Sequence, residues 1–446
     1  MIAAAKLLPE LTGTKSPGKT SVDIQGLLLW LLWLGLFAGF QGGRYYMANR
    51  LQEVGIACAL LLFIVGAWRS LFRLPLAEWR RWVLGPVLLL GGIMLVSAVV
   101  FALQYRGNVL YSLFSAREFL LGFLGPAVYL LVRCGLPLAG VRRAVWLALF
   151  ALMVNYLFFY ATMDLSAAFF SSDHTVSNLV TFDEWRGFRL KPPLFAIMLA
   201  LLGGLYVLTQ SRRGLSRIGA LLLVLLAAYI WSIVQFRSTL ATLLVSVLLY
   251  PLLLAHPGQL RRLVLLAPLV LLAAPYILLL AAEHFLNADG GSIRLMAFAA
   301  ALEHIPSHLL LGAGEDSAYG DSYQDIVAPY FYPSDLGLVG VTYKYGLVGL
   351  GVYLVMHVKI WLALYRANMG ARVSRSGGDP LLWGCLIFMT AQSFNLLLNP
   401  GLAYAQGITL GSFAIALAAL SIRSRNASHN ELHIANSSLK VEMLMK

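Results

Sequence analysis

Three arginines have the chemistry to bind an anion at the edge of a long apolar chain. Arg237 lies within VQFRSTLATLLVSVLL, Arg294 near the start of SIRLMAFAAALEHI, and Arg189 within EWRGFRLKPPLFAIML. A guanidinium beside hydrocarbon is costly unless an anion or a water-filled cavity compensates it, and its planar fork fits phosphate oxygens. Three such groups on one face of the protein could hold a pyrophosphate.

Each of these arginines also has a structural explanation. Arg237 could snorkel towards the membrane interface, and Arg294 could form an ion pair with Glu303. The segment that holds Arg189 contains two further cations that could take its place, Arg186 and Lys191. The sequence leaves these alternatives open.

The composition is that of a membrane protein. Of the 446 residues, 60% are hydrophobic and only 12% are charged, far from the balance of a soluble domain. The net charge of +13 could suggest a nucleic-acid partner. Because the lysines and arginines fall in short clusters between apolar runs, we interpret them instead as topology signals and expect no nucleic acid. Three cysteines lie inside apolar runs without metal-ligand spacing, so neither a disulfide nor a zinc site is expected: Cys58, Cys134 and Cys385.

The apolar runs predict an all-α, polytopic fold. A span needs roughly 20 apolar residues to cross the hydrocarbon core, and on that criterion the sequence predicts about twelve transmembrane helices. They lie near residues 24–41, 51–69, 83–104, 113–133, 143–163, 192–210, 217–235, 238–255, 262–282, 336–362, 381–398 and 402–421. The run from 217 to 255 is too long for one span, so we expect a tight helical hairpin with Arg237 at its turn.

Basic residues concentrate in alternate loops, which by the positive-inside rule places both termini in the cytoplasm. Residues 1–23 would then form a cytoplasmic segment, 24–421 the transmembrane domain and 422–446 a cytoplasmic tail. The tail lacks an apolar period, and we expect it to be disordered. Two long polar loops, 164–191 and 283–335, face outside.

The second outer loop, 283–335, is acidic, and a long ordered loop between spans commonly carries function. Its acids are Glu283, Asp289, Glu303, Glu315, Asp316, Asp321, Asp325 and Asp335. Within it, SIRLMAFAAALEHI predicts a helix at the membrane surface. His304 and His308 have the spacing of a helical metal pair, but Pro306 disfavours that helix, and we expect no metal.

Three segments resemble the bacterial O-antigen ligase and Wzy-type polysaccharide polymerase superfamily. SDLGLVGVTYKYGLVGLGVYL is similar to the family's closing motif, in which a loop residue precedes a span that opens with Gly-Leu-x-Gly-Leu. SIRLMAFAAALEHIPSHLLLGAG has the family's arginine, apolar helix, proline and Gly-x-Gly turn, and FRSTLATLLVSVLL looks like its arginine-bearing span. The resemblance covers residues 235–360 and extends weakly to the segment at Arg189.

The resemblance implies a metal-independent membrane glycosyltransferase without a cofactor. It would act on an undecaprenyl-pyrophosphate-linked oligosaccharide at the periplasmic face of the bacterial inner membrane, with a glycan or a lipid A-core as acceptor. Arg237 and Arg294 would hold the pyrophosphate, together with Arg189 or Arg186.

One position departs from the family. Many of its ligases carry a catalytic histidine where this chain has Asp335. An aspartate can still accept a proton or orient an acceptor hydroxyl, although an ordinary pKa of about 3.9 makes it the weaker base. Alternatively, Ser334 or Asp335 caps the next span.

Loop side chains could bind sugar through hydroxyl contacts and stacking, although each could equally be an ordinary solvated residue. The candidates for this role are Asp316, Tyr319, Tyr323 and Tyr332, with Asp321, Asp325 and Tyr330 beside them.

Three functions remain open. A polymerase of repeat units is favoured because Asp335 replaces the ligase histidine. A ligase that transfers the finished glycan to the lipid A core would share the site and differ in acceptor. A flippase or transporter of the lipid-linked glycan would instead need charges along a mid-membrane path, and the predicted spans hold few charges apart from Arg117, Glu118, Lys344 and Lys359.

Overall fold

A computed structural model describes residues 23–46, 50–183, 187–210, 214–234, 242, 245–246, 248–249, 289–316, 322–373, 378–396 and 401–444. The predicted spans 238–255 and 262–282, and the hairpin turn at Arg237, lie outside these residues or reach only isolated positions among them. Elsewhere the described chain is overwhelmingly helical.

Eleven apolar or amphipathic helices form the frame of the described part. They are α1 (Ile24–Gly39), α2 (Arg50–Leu71), α3 (Leu76–Tyr105), α4 (Val109–Arg133), α5 (Leu138–Thr162), α6 (Leu194–Gln210), α7 (Gly214–Val234), α8 (Asp289–His304), α9 (Gly337–Val373), α10 (Pro380–Phe394) and α11 (Ala405–Leu444). Asp23 and Asp379 cap α1 and α10 by accepting from the backbone N–H groups of Gln25 and Leu381, as expected of helix N-caps.

Seven of the described helices are long and apolar enough to cross a membrane, and three more are apolar but shorter. The seven are α2, α3, α4, α5, α7, α9 and α11, and the shorter ones are α1, α6 and α10. Each coincides with one of the predicted spans. The described part of the chain is therefore a helical, multi-pass membrane protein.

The structure adds one feature that the sequence did not predict and corrects one that it did. The first outer loop holds short helices, Leu165–Phe169 and His174–Ser177, and an unpredicted antiparallel hairpin of β1 (Val180–Asp183) and β2 (Gly187–Leu190). The prediction of a disordered tail is also wrong, because α11 continues without a break to Leu444. Helix propensity needs no apolar period once an upstream span has nucleated the helix.

Small residues allow the spans to approach closely. A Cβ added to Gly125 of α4 would lie 2.0 Å from the Ser412 carbonyl oxygen of α11, and one added to Gly55 of α2 would lie 2.0 Å from Cβ of Ala38. The main buried core lies among these spans. A second core forms beside α3, α8 and α9 from Phe101, Ala297, Ala301, Ala313, Tyr323, Phe331, Leu336 and Tyr343.

Helix α9 is broken at Gly346, where φ is 65° and ψ is −170°. The break removes hydrogen-bond partners from the backbone on both sides. The loop that follows the short 3-10 helix Ile305–His308 replaces them. The N–H groups of Leu347 and Val348 donate to the carbonyls of Leu309 and Leu310 at 2.8 and 3.2 Å.

The same loop also binds the carbonyls before the break. The N–H groups of Ala313 and Gly314 donate to the carbonyls of Tyr343 and Lys344 at 2.7 and 2.8 Å. Such contact requires glycine: a Cβ added to Gly314, which has φ of 92°, would lie 2.4 Å from the Ser97 carbonyl oxygen of α3. We call residues 309–316 the docking loop.

The Gly346→Ala substitution should therefore destabilise the protein. With φ of 65° and ψ of −170°, Gly346 has a conformation that costs a residue with a Cβ about 1–3 kcal/mol, and that Cβ would lie 2.2 Å from the Leu310 carbonyl oxygen. Thermal unfolding in detergent measures the effect. Gly351→Ala is the matched control in the same helix, because a Cβ there meets nothing within 4 Å. Equal melting temperatures for the two variants would contradict the account of the break.

Candidate functional site

Asp335 lies at the centre of a cluster of cations. It ends the short 3-10 helix Pro333–Asp335 just before α9. Its side chain is exposed to solvent, yet burial by the surrounding protein raises its pKa, and the charges of Arg294 and Lys191 oppose that rise. The carboxyl group therefore lies on the wall of a crevice, where water reaches it although protein surrounds it on most sides.

Lys191 is held in position by its backbone. Its N–H donates to the Leu179 carbonyl at 2.8 Å, and its carbonyl accepts from the hydroxyl of Tyr45 at 2.6 Å. Burial and the charge of Arg44 lower its pKa, while Asp335 opposes this change. The hairpin β1–β2 thus delivers a lysine, at the residue after its second strand, to the side of Asp335.

Arg44 is the third cation of this group. It lies in the 3-10 helix Gly42–Tyr46, and its Nη1 donates to Gln41 Oε1 at 2.9 Å. Gln406 of α11 donates to the same oxygen at 2.9 Å. Gln41 near the start of the described chain and Gln406 near its end therefore hold Arg44 in position beside Lys191.

Tyr404 closes the group from the connection between α10 and α11. Its hydroxyl donates to the carbonyl of Ser334, and Asp335 and Arg294 both act on it electrostatically. We call the group formed by Arg44, Lys191, Arg294, Asp335 and Tyr404 the outer crevice.

A second polar group lies deeper, at the break in α9. Lys344 forms an ion pair with Glu315 of the docking loop, and its Nζ lies 4.0 Å from Asp316 Oδ1. The hydroxyl of Tyr345 donates to the other Glu315 oxygen at 2.6 Å. We call Glu315, Asp316, Lys344 and Tyr345 the inner cluster.

Glu118 of α4 connects the two groups. Gln52 Nε2 donates to its carboxylate at 2.9 Å, and both Arg44 and Glu315 act on it electrostatically. Beside it, Arg117 Nε lies 2.6 Å from Glu53 Oε1. Polar side chains thus continue from the outer crevice into the membrane-spanning part.

The outer crevice combines two chemical abilities. Its three cations, Arg44, Lys191 and Arg294, exceed its one acid, which favours an anionic ligand such as a phosphate. Asp335 is more basic than an ordinary aspartate because protein surrounds it. A carboxylate of this kind can take a proton from a hydroxyl group that is held beside it.

Of the predicted site residues, Arg294 and Asp335 interact electrostatically. The alternative in which Asp335 caps α9 gains no support, because no described N–H group donates to its carboxylate, and the N–H of Leu338 donates to the Leu396 carbonyl at 2.9 Å instead. The predicted site residues Arg237, Arg186 and Tyr319 lie outside the described residues.

Arg189 has a different position from the one predicted. Its side chain is only 6% exposed, and its Nη1 donates to the Val234 carbonyl at 3.2 Å. Arg189 is thus buried within β2, whereas Lys191 follows the end of that strand. Of these two cations, Lys191 is the one that acts on Asp335.

The predicted sugar-binding residues divide into two kinds. Tyr332 is 49% exposed, and Asp316 is partly exposed beside Lys344, so both are accessible to a ligand. Tyr323 is fully buried among aromatic rings, and its hydroxyl donates to the Gly314 carbonyl at 2.6 Å. The prediction that Tyr323 binds sugar is therefore wrong: it supports the docking loop.

Sequence reasoning missed the roles of Arg44, Glu315 and Tyr404. The one available signal was the presence of charges inside predicted spans, Glu118 and Lys344, because such residues need partners. Their partners come from distant parts of the chain, and spacing does not reveal them.

No protein-family model matches the chain, and neither does any curated protein. The function must therefore be inferred from the chemistry of the outer crevice.

The Glu315–Lys344 pair should anchor the docking loop. Its side chains are 11% and 18% exposed, so removing one partner leaves a charge largely buried and should cost about 3–5 kcal/mol of unfolding free energy. Glu315→Gln and Lys344→Met should each show this loss in unfolding experiments in detergent. The double variant should lose less than the sum, because neither charge is left alone. Strictly additive losses would show that the pair is not coupled.

Proposed function

We propose that the protein is a membrane glycosyltransferase that polymerises undecaprenyl-pyrophosphate-linked oligosaccharide repeat units. The observation that carries the proposal is the position of Asp335 beside Arg294 and Lys191. One basic carboxylate beside cations suits a reaction in which a hydroxyl attacks a carbon atom that bears an anionic leaving group.

The cations bind the donor. Arg294 offers a planar pair of N–H donors and Lys191 a compact charge, and both suit the oxygens of a pyrophosphate. The leaving pyrophosphate is already anionic, so the transition state needs charge stabilisation more than it needs a general acid. Arg44 lies near Lys191 and adds its positive charge to the charge that stabilises the leaving pyrophosphate.

Asp335 serves the acceptor. An acceptor sugar hydroxyl forms a new bond to the anomeric carbon of the donor, and the bond from that carbon to the pyrophosphate oxygen breaks. The hydroxyl proton passes to the Asp335 carboxylate, and the electron pair of the broken bond leaves with the lipid pyrophosphate. No metal or cofactor enters this step.

Tyr332 is the sugar-stacking residue of this proposal. Its carbonyl accepts from the N–H of Asp335 at 2.9 Å, so it adjoins the proposed base, and its ring is half exposed. An exposed tyrosine presents a flat apolar face and a hydroxyl group, which together suit a sugar ring.

The proposal includes a topology. The basic clusters favour cytoplasmic termini, which puts the outer crevice on the periplasmic side of a bacterial inner membrane. It also includes twelve spans, with 238–255 and 262–282 as the eighth and ninth, which bring Arg237 to the same side.

Transport of the lipid-linked glycan is a second candidate, and one observation favours it. Transporters place charges along a mid-membrane path, and the inner cluster together with Glu118 gathers charges within the spans. The two cations of this region are already paired, Lys344 of the inner cluster with Glu315 and the nearby Arg117 with Glu53, and a structural role also explains such pairs. The fate of the donor in cells distinguishes transport from transfer.

Asp335→Asn should abolish polymerisation. Loss of a general base costs about 100-fold or more in rate, so long glycans should disappear while single repeat units persist. Arg294→Gln should lower the rate and shorten the glycan without abolishing polymerisation, because Lys191 still holds the donor pyrophosphate. The matched controls are Glu303→Gln and Arg106→Asn, which remove exposed charges away from the outer crevice and should leave glycan length unchanged.

The readout is the length distribution of the glycan and the carrier to which it is attached. If full-length glycan accumulates on its lipid carrier in Asp335→Asn, the function is ligation and not polymerisation. Donor trapped on the cytoplasmic side would support transport. Normal long chains in Asp335→Asn would contradict the proposal.

The rate should fall in acid as Asp335 gains a proton. Because burial raises its pKa, the acid limb of kcat/KM should lie above pH of about 4, the usual range for an aspartate. The charge of Arg294 stabilises the ionised form of Asp335 and lowers its pKa. Arg294→Gln should therefore raise that pKa and move the acid limb to higher pH, whereas Arg106→Asn should leave the limb in place. The measurement uses purified protein and a lipid-linked repeat unit. A limb that stays in place or moves to lower pH in Arg294→Gln would show that Asp335 is not the titrating base.

A further inference from the structure

A large apolar groove runs along the outside of α3, α4, α9 and α11, with a volume of about 1180 Å³. We call it the lateral groove. Its walls are mainly aliphatic and include Gly92, Ile93, Val348, Val352, Ile408 and Ile415. This volume exceeds the roughly 300–1,000 Å³ of pockets that take drug-sized ligands, so the groove suits a longer molecule.

The groove follows the direction of the spans. Arg81 and Ser97 of α3 both line it, and at 1.5 Å per residue they are about 24 Å apart along the helix. That distance exceeds one leaflet of a hydrocarbon core about 30 Å thick. Ser97 contacts the docking loop through its carbonyl, so the groove runs from the level of the inner cluster to the opposite membrane interface.

The far end of the groove is strongly basic. Four cations line it, and all are exposed: Arg81, Lys359, Arg366 and Arg423. One acid, Glu78, contacts this set, at 2.9 Å from Arg423, and it also pairs with Arg133 at 2.9 Å. The positive charge at this end therefore exceeds the negative charge that the contacting residues supply.

We propose that the lateral groove binds an anionic glycerophospholipid of the bilayer, with acyl chains along its apolar walls and the phosphate on Arg81 and Arg366. The two halves of the groove match the two halves of such a lipid. A zwitterionic lipid would fill the walls equally well but would bring a cation to a site that already has a surplus of them. Each arginine near a membrane surface contributes about 1 kcal/mol of attraction to an anionic lipid, which is about a fivefold change in affinity.

The headgroup half of the proposal is tested by lipid titration. Purified protein in detergent is titrated with phosphatidylglycerol or phosphatidylcholine, and bound lipids are counted by native mass spectrometry. Wild-type protein should prefer phosphatidylglycerol. Arg81→Gln with Arg366→Gln should lower its affinity about 30-fold and leave that of phosphatidylcholine unchanged.

The matched control removes the same charge elsewhere. Arg143 of α5 and Arg217 of α7 are exposed and belong to the same set of basic clusters, but they do not line the groove. Arg143→Gln with Arg217→Gln should retain the wild-type preference. If the test pair does not fold, Arg366→Gln alone, with about a fivefold loss, takes its place.

The apolar half is tested by filling the groove. A Cβ at Gly92 meets nothing within 4 Å, and Gly92 lines the groove. Gly92→Phe should therefore displace the lipid without straining the fold. The adjacent Gly91 is equally open but lies off the groove wall, so Gly91→Phe should bind lipid like the wild type.

Three results would overturn the proposal. They are equal affinity of the wild-type protein for the two lipids, unchanged affinity in the arginine pair, and full retention of lipid in Gly92→Phe. A polyprenyl lipid that copurifies in the groove in place of phosphatidylglycerol would also refute the stated occupant. Because glycan transfer is not measured, these outcomes are independent of the proposed function.

Discussion

Within the hydrocarbon of a membrane, every backbone N–H and C=O group needs a partner from the protein. The break at Gly346 creates such groups in the middle of α9, and the docking loop satisfies them on both sides, through Leu309 and Leu310 after the break and through Ala313 and Gly314 before it. Irregular backbone at membrane depth is tolerated only where protein or a water-filled cavity surrounds it. The contact between helix break and docking loop is therefore the constraint on which the rest of the structure depends.

That contact positions both polar groups. It brings Glu315 to Lys344 and so forms the inner cluster. It also holds the docking loop, which follows α8, against α9, which begins just after Asp335. Tyr404 fixes the turn at Asp335 from a third direction, through the Ser334 carbonyl. Lys191 follows the β1–β2 hairpin and Arg294 lies on α8, so with Arg44, Asp335 and Tyr404 the outer crevice collects side chains from five separate parts of the chain. A proposed donor with a pyrophosphate and a proposed acceptor hydroxyl would meet there.

The positions of the helices could be predicted from local sequence patterns. Apolar runs of sufficient length located each span that the structure describes, and the sequence SIRLMAFAAALEHI predicted helix α8. The proximity of Arg294 to Asp335 was also foreseeable, because both lie in one outer loop. The choice of Lys191 over Arg189 was not foreseeable, because it depends on the fold around the β1–β2 hairpin, which buries Arg189 against the Val234 carbonyl.

Long-range pairing accounts for the other differences. Tyr323 looks like a solvated loop residue in the sequence, but the loop folds back and buries its ring against Phe331 and Tyr343. Gly346 looks like one of several glycines in a helix, and only its contact with Leu310 shows why the helix breaks there.

The central claim is that Arg294 and Lys191 hold a lipid pyrophosphate beside Asp335, and equilibrium binding of undecaprenyl pyrophosphate to the purified protein tests it most directly. The account predicts that Arg294→Gln and Lys191→Gln each weaken binding about tenfold, while Asp335→Asn binds at least as tightly as the wild type. Unchanged affinity after loss of both cations would contradict it.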